Sequence, residues 1–231
     1  MAIALIIAGG VGARTGKSVP KQFLTVDDVP LIMYTMKNIQ DSGCYSELYV
    51  VCSDGWKDFI ISYALQYNIS IFKDTISGGR TRFESCYNGI DALRKTHDPL
   101  EIISILDGNR PLTSKDTYKK SIEAIDKADC VLPIEPCYDS MYYAEKNCDK
   151  VIKSADKTVL FKGQSPETSR LGLAYEICNN AYMSGLGDQT LTALMLLGGK
   201  DVRYIEGSPM NFKITTNEDF SLFKALKPQS F

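Results

Sequence analysis

Continuous apolar runs of strand length alternate along this chain with longer stretches of helical periodicity, and this alternation constrains the fold more than any other feature. Apolar strands without polar alternation are typical of a sheet that is covered on both faces. The sequence therefore predicts an α/β protein, a Rossmann-like α/β/α sandwich around a mostly parallel sheet. The predicted strands are residues 2–7, 47–52, 69–72, 101–106 and 129–134, and the predicted helices between them are residues 31–41, 56–66, 83–95 and 114–127.

The pattern loosens in the second half of the chain. Residues 138–162 contain short strand-like pieces broken by a polar turn, which we interpret as a projecting β-arm inserted at about 137–162 and used for dimerisation. Because no linker or repeat interrupts the 231 residues, we predict one domain spanning residues 1–231. Regular patterns resume after the arm at residues 170–180, 189–197, 201–206 and 217–226.

Charge, hydropathy and cysteine usage exclude several classes of partner. The chain has 26 Lys and Arg against 28 Asp and Glu, a net charge of −2 that disfavours binding to nucleic acid. The apolar run at residues 2–7 is too short to span a bilayer, so no membrane contact is predicted. Seven irregularly spaced cysteines without a Cys-x-x-Cys pair indicate reduced thiols and a cytoplasmic location.

The chain contains a single histidine, His97, which excludes zinc sites built from two or three histidines of one chain. It stands in a polar segment, residues 94–99, whose pattern indicates a helix end that runs into a turn. We therefore expect His97 to be a solvated loop residue and not a catalytic base.

The most specific local feature is a glycine-rich loop directly after the first predicted strand. Glycines at this place let backbone N–H groups approach phosphate oxygens, and nearby cations can neutralise a polyphosphate. The segment therefore predicts a phosphate-binding site. Its small residues and cations are Ala8, Gly9, Gly10, Gly12, Arg14, Lys17 and Lys21.

Two common phosphate-binding motifs each miss this loop by one position. Residues 16–18 (Gly-Lys-Ser) would end a Walker A motif, but Val11 stands where its opening glycine should be. Pro20 also follows where the helix of that motif should continue. The Rossmann fingerprint fits the glycines but then meets Thr15 where glycine or alanine is required.

Five segments in fixed order resemble the cytidylyltransferases that act on methylerythritol phosphate and ribitol phosphate. The resemblance covers essentially the whole chain and implies a GT-A-like nucleotidyltransferase sandwich. It also implies transfer of a cytidylyl group from CTP to a small polyol phosphate, with release of pyrophosphate. The segments are residues 8–24 (Ala-Gly-Gly-Val-Gly-Ala-Arg, then Pro-Lys-Gln-Phe-Leu), 78–85 (Gly-Gly-Arg-Thr-Arg-Phe-Glu-Ser), 106–111 (Leu-Asp-Gly-Asn-Arg-Pro), 164–166 (Gln-Ser-Pro) and 211–216 (Asn-Phe-Lys-Ile-Thr-Thr).

The resemblance implies that Arg14, Lys21, Asp107 and Lys213 are the catalytic residues. Nucleotidyl transfer requires an in-line nucleophile, a neutralised α-phosphate and a stabilised pyrophosphate leaving group. Arg14 and Lys21 would hold the triphosphate, and Lys213 would reach the α-phosphate from the other side. Asp107 ends a predicted strand at the carboxyl edge of the sheet, beside a Mg²⁺ ion that phosphate oxygens largely hold.

The resemblance also assigns the remaining contacts. Residues 78–85 would read cytosine and its ribose, which a small pocket can do with backbone groups and a hydroxyl. The expected CTP contacts are Ala8, Gly9, Gly10, Gly12, Gly79, Arg82 and Ser85, and the expected acceptor contacts are Arg110, Ser140, Lys157 and Asp188.

Departures from the family pattern concentrate in the acceptor half. Lys157 stands where an arginine of the family reaches across a dimer to the acceptor phosphate, and lysine lacks the bidentate fork. We therefore expect a homodimer whose arm completes the neighbour's site. Ribitol 5-phosphate or a glycerol phosphate is favoured over methylerythritol phosphate as acceptor, for capsule or teichoic-acid precursors.

Two alternatives stay open at the level of the sequence. Residues 16–18 and the apolar run ending in Asp107 would also suit a P-loop kinase or NTPase. The altered acceptor residues would also suit a catalytically inactive homologue that binds CTP. Product analysis separates these possibilities, because only the transferase releases pyrophosphate and forms a CDP adduct.

Overall fold

A mostly parallel β-sheet lies at the centre of the molecule in a computed structural model, which describes residues 2–9, 20–145 and 147–228. The strands are β1 (Ala2–Ile7), β2 (Thr25–Val26), β3 (Val29–Pro30), β4 (Tyr45–Cys52), β5 (Phe72–Ser77), β6 (Ile102–Asp107), β7 (Cys130–Pro136), β8 (Tyr142–Ala144), β9 (Val151–Ser154), β10 (Phe161–Gly163), β11 (Glu167–Arg170) and β12 (Val202–Glu206). The helices are α1 (Leu31–Ser42), α2 (Lys57–Gln66), α3 (Arg82–Arg94), α4 (Lys115–Glu123), α5 (Leu171–Met183), α6 (Leu191–Leu197) and α7 (Asn217–Leu226).

The strand pairing confirms the predicted α/β sandwich. β1 pairs in parallel with β4 on one side and with β6 on the other, and β5 continues the sheet beyond β4. β11 lies antiparallel between β6 and β7, and β7 also pairs with β10 and β12. Because β1 and β6 are parallel neighbours, the carboxyl ends of both strands lie together at one edge of the sheet, where open α/β sheets bind ligands.

Alternate residues of β1 pack into two separate hydrophobic cores, one on each face of the sheet, as a sheet covered on both faces requires. Ala4 and Ile6 pack on one face with residues of α1, α2, α4 and α7. Ile3 and Leu5 pack on the other face with residues of α3, α5 and α6. Helix α3 comes so close to the sheet at Gly89 that an added Cβ would lie 2.7 Å from Leu5. This close approach fixes the position of the first turn of α3, which carries residues of the site.

A polar strand, β11, lies in the middle of the sheet, and no strand was predicted there from the sequence. Thr168 and Ser169 are fully buried. The hydroxyl groups of Ser104 and Thr168 are 2.9 Å apart across β6 and β11, and Ser169 Oγ donates to the carbonyl oxygen of Asp129 at 2.7 Å. These bonds satisfy the hydroxyl groups that burial removes from water.

The predicted arm contains the short strands that its sequence suggested. β8 and β9 form a separate antiparallel pair, and β10 returns the chain to the edge of the main sheet on β7. Tyr142, Tyr143, Val151 and Ile152 of this arm are all more than half exposed. Whether the arm pairs two chains stays a prediction.

One strand was predicted in the wrong place. The sequence suggested residues 69–72, whereas the strand is Phe72–Ser77. Ile69 is buried in a turn, and its N–H donates to the carbonyl oxygen of Ala64. β5 is the strand at one edge of the sheet, and its residues Lys73 and Asp74 are exposed. The apolar residues that suggested a strand at 69–72 therefore lie mainly before β5.

His97 lies in the bend after α3, as expected, but the expectation that it is solvated was wrong, because its side chain is only 12% exposed. Its Nε2 lies 3.1 Å from Oε2 of Glu47, and its Nδ1 lies 3.1 Å from the carbonyl oxygen of Leu93. The ring therefore connects the C-terminal end of α3 to β4, at the opposite end of the helix from Arg82.

The cysteines are free thiols in the structure, and all seven lie among the described residues. Cys52 and Cys130 are buried in β4 and β7, and burial raises the pKa of the two thiols to about 11 and about 12. In the described part of the chain, no helix combines the length and the apolar character that a transmembrane span needs.

Candidate active site

A buried carboxylate, Asp107, contacts three cationic side chains at the end of β6. Lys213 Nζ lies 3.1 Å and Arg82 Nη2 3.5 Å from Oδ1, and Arg110 Nε donates to Oδ2 at 3.0 Å. Arg110 follows Asp107 in the turn after β6, whereas Arg82 begins α3 and Lys213 lies close to the C-terminal helix. The fold therefore brings together cations from three distant parts of the chain.

The electrostatic balance keeps this carboxylate charged. Burial on its own would raise the pKa of Asp107, but the charges of Lys213, Arg82 and Arg110 outweigh burial and hold the pKa well below its ordinary value. The site thus contains the negative charge of Asp107 next to the positive charges of Lys213, Arg82 and Arg110, so positive charge is in excess around this carboxylate. Such a surplus suits the binding of phosphate groups.

Arg82 bridges Asp107 to a second buried carboxylate, Glu167. Its Nη2 lies 3.3 Å from Oε1 of Glu167, and the other oxygen of Glu167 accepts a hydrogen bond of 2.7 Å from the backbone N–H of Thr192. Burial would lower the pKa of Arg82, but the two carboxylates raise it above its ordinary value. Arg82 is therefore a permanently charged link between α3, the sheet and the first turn of α6.

A hydrogen-bonded network holds Asp107 and Arg110 in place. Arg110 Nη1 donates to the carbonyl oxygen of Asn211, whose Nδ2 donates to the carbonyl oxygen of Ser165 at 2.8 Å. The backbone N–H of Asp107 donates to Ser165 Oγ at 3.3 Å, and Thr113 Oγ1 donates to Asn211 Oδ1 at 2.7 Å. Arg110 is buried within this network, so the contacts seen for it orient Asp107.

Two cavities meet at this cluster. The first, of about 360 Å³, lies at the edge formed by β1, β6 and α3. The second, of about 410 Å³, lies between α6 and the segment that joins β10 to β11. Described residues that line the first are Ile7, Gly9, Gln22, Arg80, Thr81, Arg82, Ser85, Asp107, Gly108, Asn109 and Lys213, and those that line the second are Arg82, Asp107, Arg110, Leu132, Gly163, Gln164, Ser165, Glu167, Thr190, Thr192, Ala193, Leu196 and Lys213. Arg82, Asp107 and Lys213 line both cavities, so one set of charges serves two compartments.

The wall of the first cavity depends on glycines and on Ser85. An added Cβ at Gly9 would lie 2.9 Å from Ser85 Oγ, and one at Gly79 would overlap Glu84. Ser85 Oγ accepts from the backbone N–H of Gly79 at 3.0 Å and donates to the carbonyl oxygen of Thr81 at 2.9 Å. The close packing of these residues gives the cavity a rigid, polar wall made largely of backbone.

The structure leaves part of the predicted phosphate loop undescribed. Gly10, Gly12, Arg14 and Lys17 lie outside the described residues, so their predicted contacts are untested. Lys21 begins a 3-10 turn, Lys21–Phe23, in which its neighbour Gln22 lines the first cavity.

Two residues beside that loop have other contacts than the sequence suggested. The N–H of Ala8 donates to the carbonyl oxygen of Val51 at 2.8 Å, so this group belongs to the sheet. The amide of Gln22 donates to the carbonyl oxygen of Ala8 at 2.5 Å, a contact that the sequence analysis did not anticipate.

Three of the predicted acceptor residues are not among the described residues that line either cavity. Ser140 and Lys157 are exposed on the arm, where Lys157 Nζ donates to the carbonyl oxygen of Tyr138 at 2.7 Å. Asp188 is exposed in a left-handed conformation with φ of 54° just before α6. Their role in acceptor binding stays a prediction.

The predicted metal role of Asp107 fits only an ion that substrate oxygens mainly hold. Among residues 2–9, 20–145 and 147–228, no three histidine, cysteine, aspartate or glutamate side chains come together as metal ligands. Both oxygens of Asp107 face cations of the protein. Mg²⁺ commonly uses one or two carboxylates together with phosphates and water, and Asp107 could supply one such ligand.

A larger cavity of about 570 Å³ lies elsewhere, between α1 and the start of α4. Its Lys37 and Asp41 form an ion pair of 2.5 Å with each other. Lys115 also lines this cavity, but the cluster of Asp107, Arg82 and Lys213 lies at the two smaller cavities.

A mostly parallel sheet with two adjoining cavities and a cationic cluster at its carboxyl edge fits an α/β nucleotidyltransferase. The family model described as IspD: 2-C-methyl-D-erythritol 4-phosphate cytidylyltransferase matches residues 2–227. The chain belongs to this family, as its five sequence segments suggested.

Relatives with two different names match nearly the whole chain. Ribitol-5-phosphate cytidylyltransferase of Vibrio parahaemolyticus is 30% identical and covers 98% of this chain and 95% of the relative. The 2-C-methyl-D-erythritol 4-phosphate cytidylyltransferase of Alkaliphilus oremlandii is 30% identical over 93% of this chain and 90% of its own length. The crystal structure of 4-diphosphocytidyl-2C-methyl-D-erythritol synthase from Anaerococcus prevotii has a TM-score of 0.81 at 21% identity, covers 98% of this chain and 97% of its own, and supports the fold.

Proposed function

We propose that the protein transfers a cytidylyl group from CTP to a small polyol phosphate, forming a CDP-polyol and pyrophosphate. The observation that carries the proposal is the junction of the two cavities at Asp107, Arg82 and Lys213. A transferase must hold two phosphate-bearing substrates side by side with shared positive charge between them. Two adjoining cavities that share these charges meet that requirement.

The reaction follows from this arrangement. With CTP in the first cavity and the acceptor in the second, a phosphate oxygen of the acceptor attacks the α-phosphorus of CTP in line. A new P–O bond forms, the bond to the bridging oxygen of the β-phosphate breaks, and pyrophosphate leaves with the electron pair. Lys213 and Arg82 stabilise the charge that develops on the α-phosphoryl oxygens, and Asp107 keeps both cations aimed at this point.

The glycine-rich loop completes the nucleotide site in this proposal. Lys21 and Arg14 hold the β- and γ-phosphates, and Gly79 and Ser85 border the base and ribose. Asp107 would supply a carboxylate ligand to a Mg²⁺ ion held mainly by phosphate oxygens, and such an ion would neutralise charge on the triphosphate.

The acceptor is ribitol 5-phosphate or a glycerol phosphate in preference to methylerythritol phosphate. Relatives named ribitol-5-phosphate cytidylyltransferase match at 28–30% identity over 97–98% of the chain, and relatives named 2-C-methyl-D-erythritol 4-phosphate cytidylyltransferase match at 28–30% over 93–96%, so the choice rests on the altered acceptor residues of the sequence. The second cavity is also lined by the hydroxyl-bearing residues Ser165, Thr190 and Thr192, which suit a polyol, whereas the amide of Gln164 is already bonded to Glu135, Ser208 and Asn211. The product would serve capsule or teichoic-acid precursor synthesis.

The proposal includes a homodimer in which the arm contacts the neighbouring chain. Lys157 and Ser140 lie on an exposed arm with several uncovered apolar side chains. In a homodimer, the arm of one chain would place these two residues at the acceptor cavity of the other chain. The acceptor phosphate would then be held partly by Lys157 across the interface.

The described residues disfavour the P-loop kinase. A Walker A motif ending at residues 16–18 would continue as a helix, whereas Pro20 has extended φ and ψ of −58° and 144°. A 3-10 turn and the β2–β3 hairpin follow it. Membership of the cytidylyltransferase family also supports transfer over phosphorylation.

The decisive experiment is a panel of acceptors incubated with CTP and Mg²⁺, with pyrophosphate measured and the CDP products identified by mass. The expected result is turnover with ribitol 5-phosphate or a glycerol phosphate at least about tenfold above that with methylerythritol phosphate. A preference for methylerythritol phosphate would reject the acceptor assignment. CTP binding without pyrophosphate release for any acceptor would indicate an inactive homologue, and ADP formation from ATP would indicate a kinase.

A further inference from the structure

The first cavity has walls from two different parts of the chain. Gln22 approaches from the 3-10 turn that follows the glycine-rich loop, and Arg80, Thr81 and Ser85 approach from the start of α3. A third segment, residues 53–59, lies outside the cavity but contacts the supports of both walls. The best-defined of its contacts is an aromatic stack.

The indole ring of Trp56 lies flat on the ring of Phe23. The ring centroids are 4.1 Å apart with an interplanar angle of 10°. Phe59 packs edge-to-face with both rings, and its ring centroid lies 5.4 Å from that of Phe23 and 5.2 Å from that of Trp56. Phe23 is buried and immediately follows Gln22, so this stack fixes the turn that presents Lys21 and Gln22.

The same segment also contacts the end of β5. Lys57 Nζ donates to Ser77 Oγ at 2.7 Å, and Ser77 Oγ donates to Asp54 Oδ1 at 2.7 Å. Ser77 is the last residue of β5 and leads directly into Gly78 and Gly79. These polar contacts are more exposed than the stack and are expected to be weaker.

We propose that Trp56 is a positioning residue for the nucleotide, acting through Phe23 on the turn that carries Lys21 and Gln22. This inference rests on the proposed function, because CTP is the nucleotide concerned. Without the indole ring, one face of Phe23 loses its partner and the turn gains alternative orientations. CTP binding must then restrict these orientations, and the free energy that this restriction costs lowers the affinity for CTP.

The sequence supplies a direct reporter, because Trp56 is the only tryptophan of the chain. Movement or tightening of the Lys21–Phe23 turn on nucleotide binding changes the surroundings of the indole ring. The emission of the unaltered protein, excited at wavelengths selective for tryptophan, is therefore expected to change saturably with CTP. Isothermal calorimetry of the same titration gives an independent dissociation constant, which should agree with that from fluorescence.

Variants then test the direction of the effect. Trp56→Ala is expected to raise the KM for CTP about fivefold or more, with kcat within about twofold and the KM for the acceptor unchanged. Trp56→Phe keeps a stacking ring and is expected to restore most of the affinity. Tyr63→Ala is the matched control, because Tyr63 stacks on Tyr67 at the end of α2, as Trp56 stacks on Phe23, and meets Phe59 at a tilt of 38°.

The outcomes separate this inference from the proposed function. If calorimetry detects CTP binding while tryptophan emission stays constant, or if folded Trp56→Ala keeps the parental KM for CTP, the positioning role is wrong. An equal rise of KM in Tyr63→Ala would also contradict it. If Trp56→Ala does not fold, Phe23→Leu, which keeps an apolar side chain without the stack, takes its place with the same expected rise. If no method detects CTP binding by the unaltered protein, the proposed function fails first.

Discussion

The ammonium group of Lys213 lies 3.1 Å from Oδ1 of Asp107, so the end of a central strand holds a cation that is delivered by the C-terminal part of the chain. The contact places Lys213 on the border of both cavities. Its charge is thereby available at the point where two phosphate-bearing substrates would meet.

Replacing Lys213 by methionine, which keeps the unbranched stem of the side chain without its charge, is expected to lower kcat by about 100-fold. The reason is that a preorganised charge is lost where the transition state accumulates negative charge. Pyrophosphate release at saturating substrates measures the effect. Lys95→Met is the control, since Lys95 forms an exposed ion pair with Asp91 on α3. Similar kcat values for the two variants would remove Lys213 from the chemistry.

Acid stability should depend on Asp107. Since its pKa is depressed in the folded state, its ionised form contributes stability that is complete above the unfolded-state pKa of about 4 and is lost as the pH falls through the lower, folded-state pKa. Asp107→Asn is expected to be about 2 kcal/mol less stable than the parent protein near pH 7. Urea unfolding between pH 7 and pH 2 should show this difference shrinking below about pH 4. A difference that grows on acidification would have the wrong sign.

Gly79 should tolerate no side chain. An added Cβ would overlap Glu84, so Gly79→Ala must displace the start of α3 and with it Ser85. We expect the KM for CTP to rise about tenfold, in line with a strain of about 1–3 kcal/mol. Gly55→Ala is the control, because an added Cβ at Gly55 meets no atom within 4 Å. Equal KM values for the two variants would indicate that this wall does not contact the nucleotide.

The arm can be tested by mixing two defective chains. Lys157→Ala should raise the KM for the acceptor by about tenfold through loss of a charged contact, and Asp107→Ala should be nearly inactive. In a mixed dimer whose arms cross, one site combines Asp107 of the first variant with Lys157 of the second and is intact. Turnover at low acceptor concentration is therefore expected to rise after the two variants are mixed and allowed to exchange. A strictly additive rate would argue against sharing of Lys157 between chains.

Some parts of the structure followed directly from local sequence patterns. The apolar runs at residues 2–7 and 101–106 match β1 and β6 closely, because buried parallel strands are apolar on both faces. A helix was also predicted from residue 114, and the hydroxyl of Ser114 indeed accepts from the N–H of Thr117 as a cap. The predicted helix at residues 114–127 nevertheless gives way to a 3-10 turn, Ala124–Lys127.

Other parts could not have been read from local patterns. β11 consists of Glu167, Thr168, Ser169 and Arg170, a composition that predicts a loop, and it is a strand because β6 and β7 provide partners on both sides. The role of Gln22 at the cavity edge depends on its bond to Ala8, and periodicity gives no sign of such a contact.

The amino-acid sequence alone determined the α/β class and the position of Asp107 at a strand end, since each depends on neighbours within a few residues. It also placed Lys213 in the site through the family resemblance. Tertiary structure alone decided that Arg82 links Asp107 to Glu167 and that two cavities share these charges. The physical reason is that ion pairs and cavities form between side chains that are distant in the chain, and the packing of helices on the sheet sets their distances.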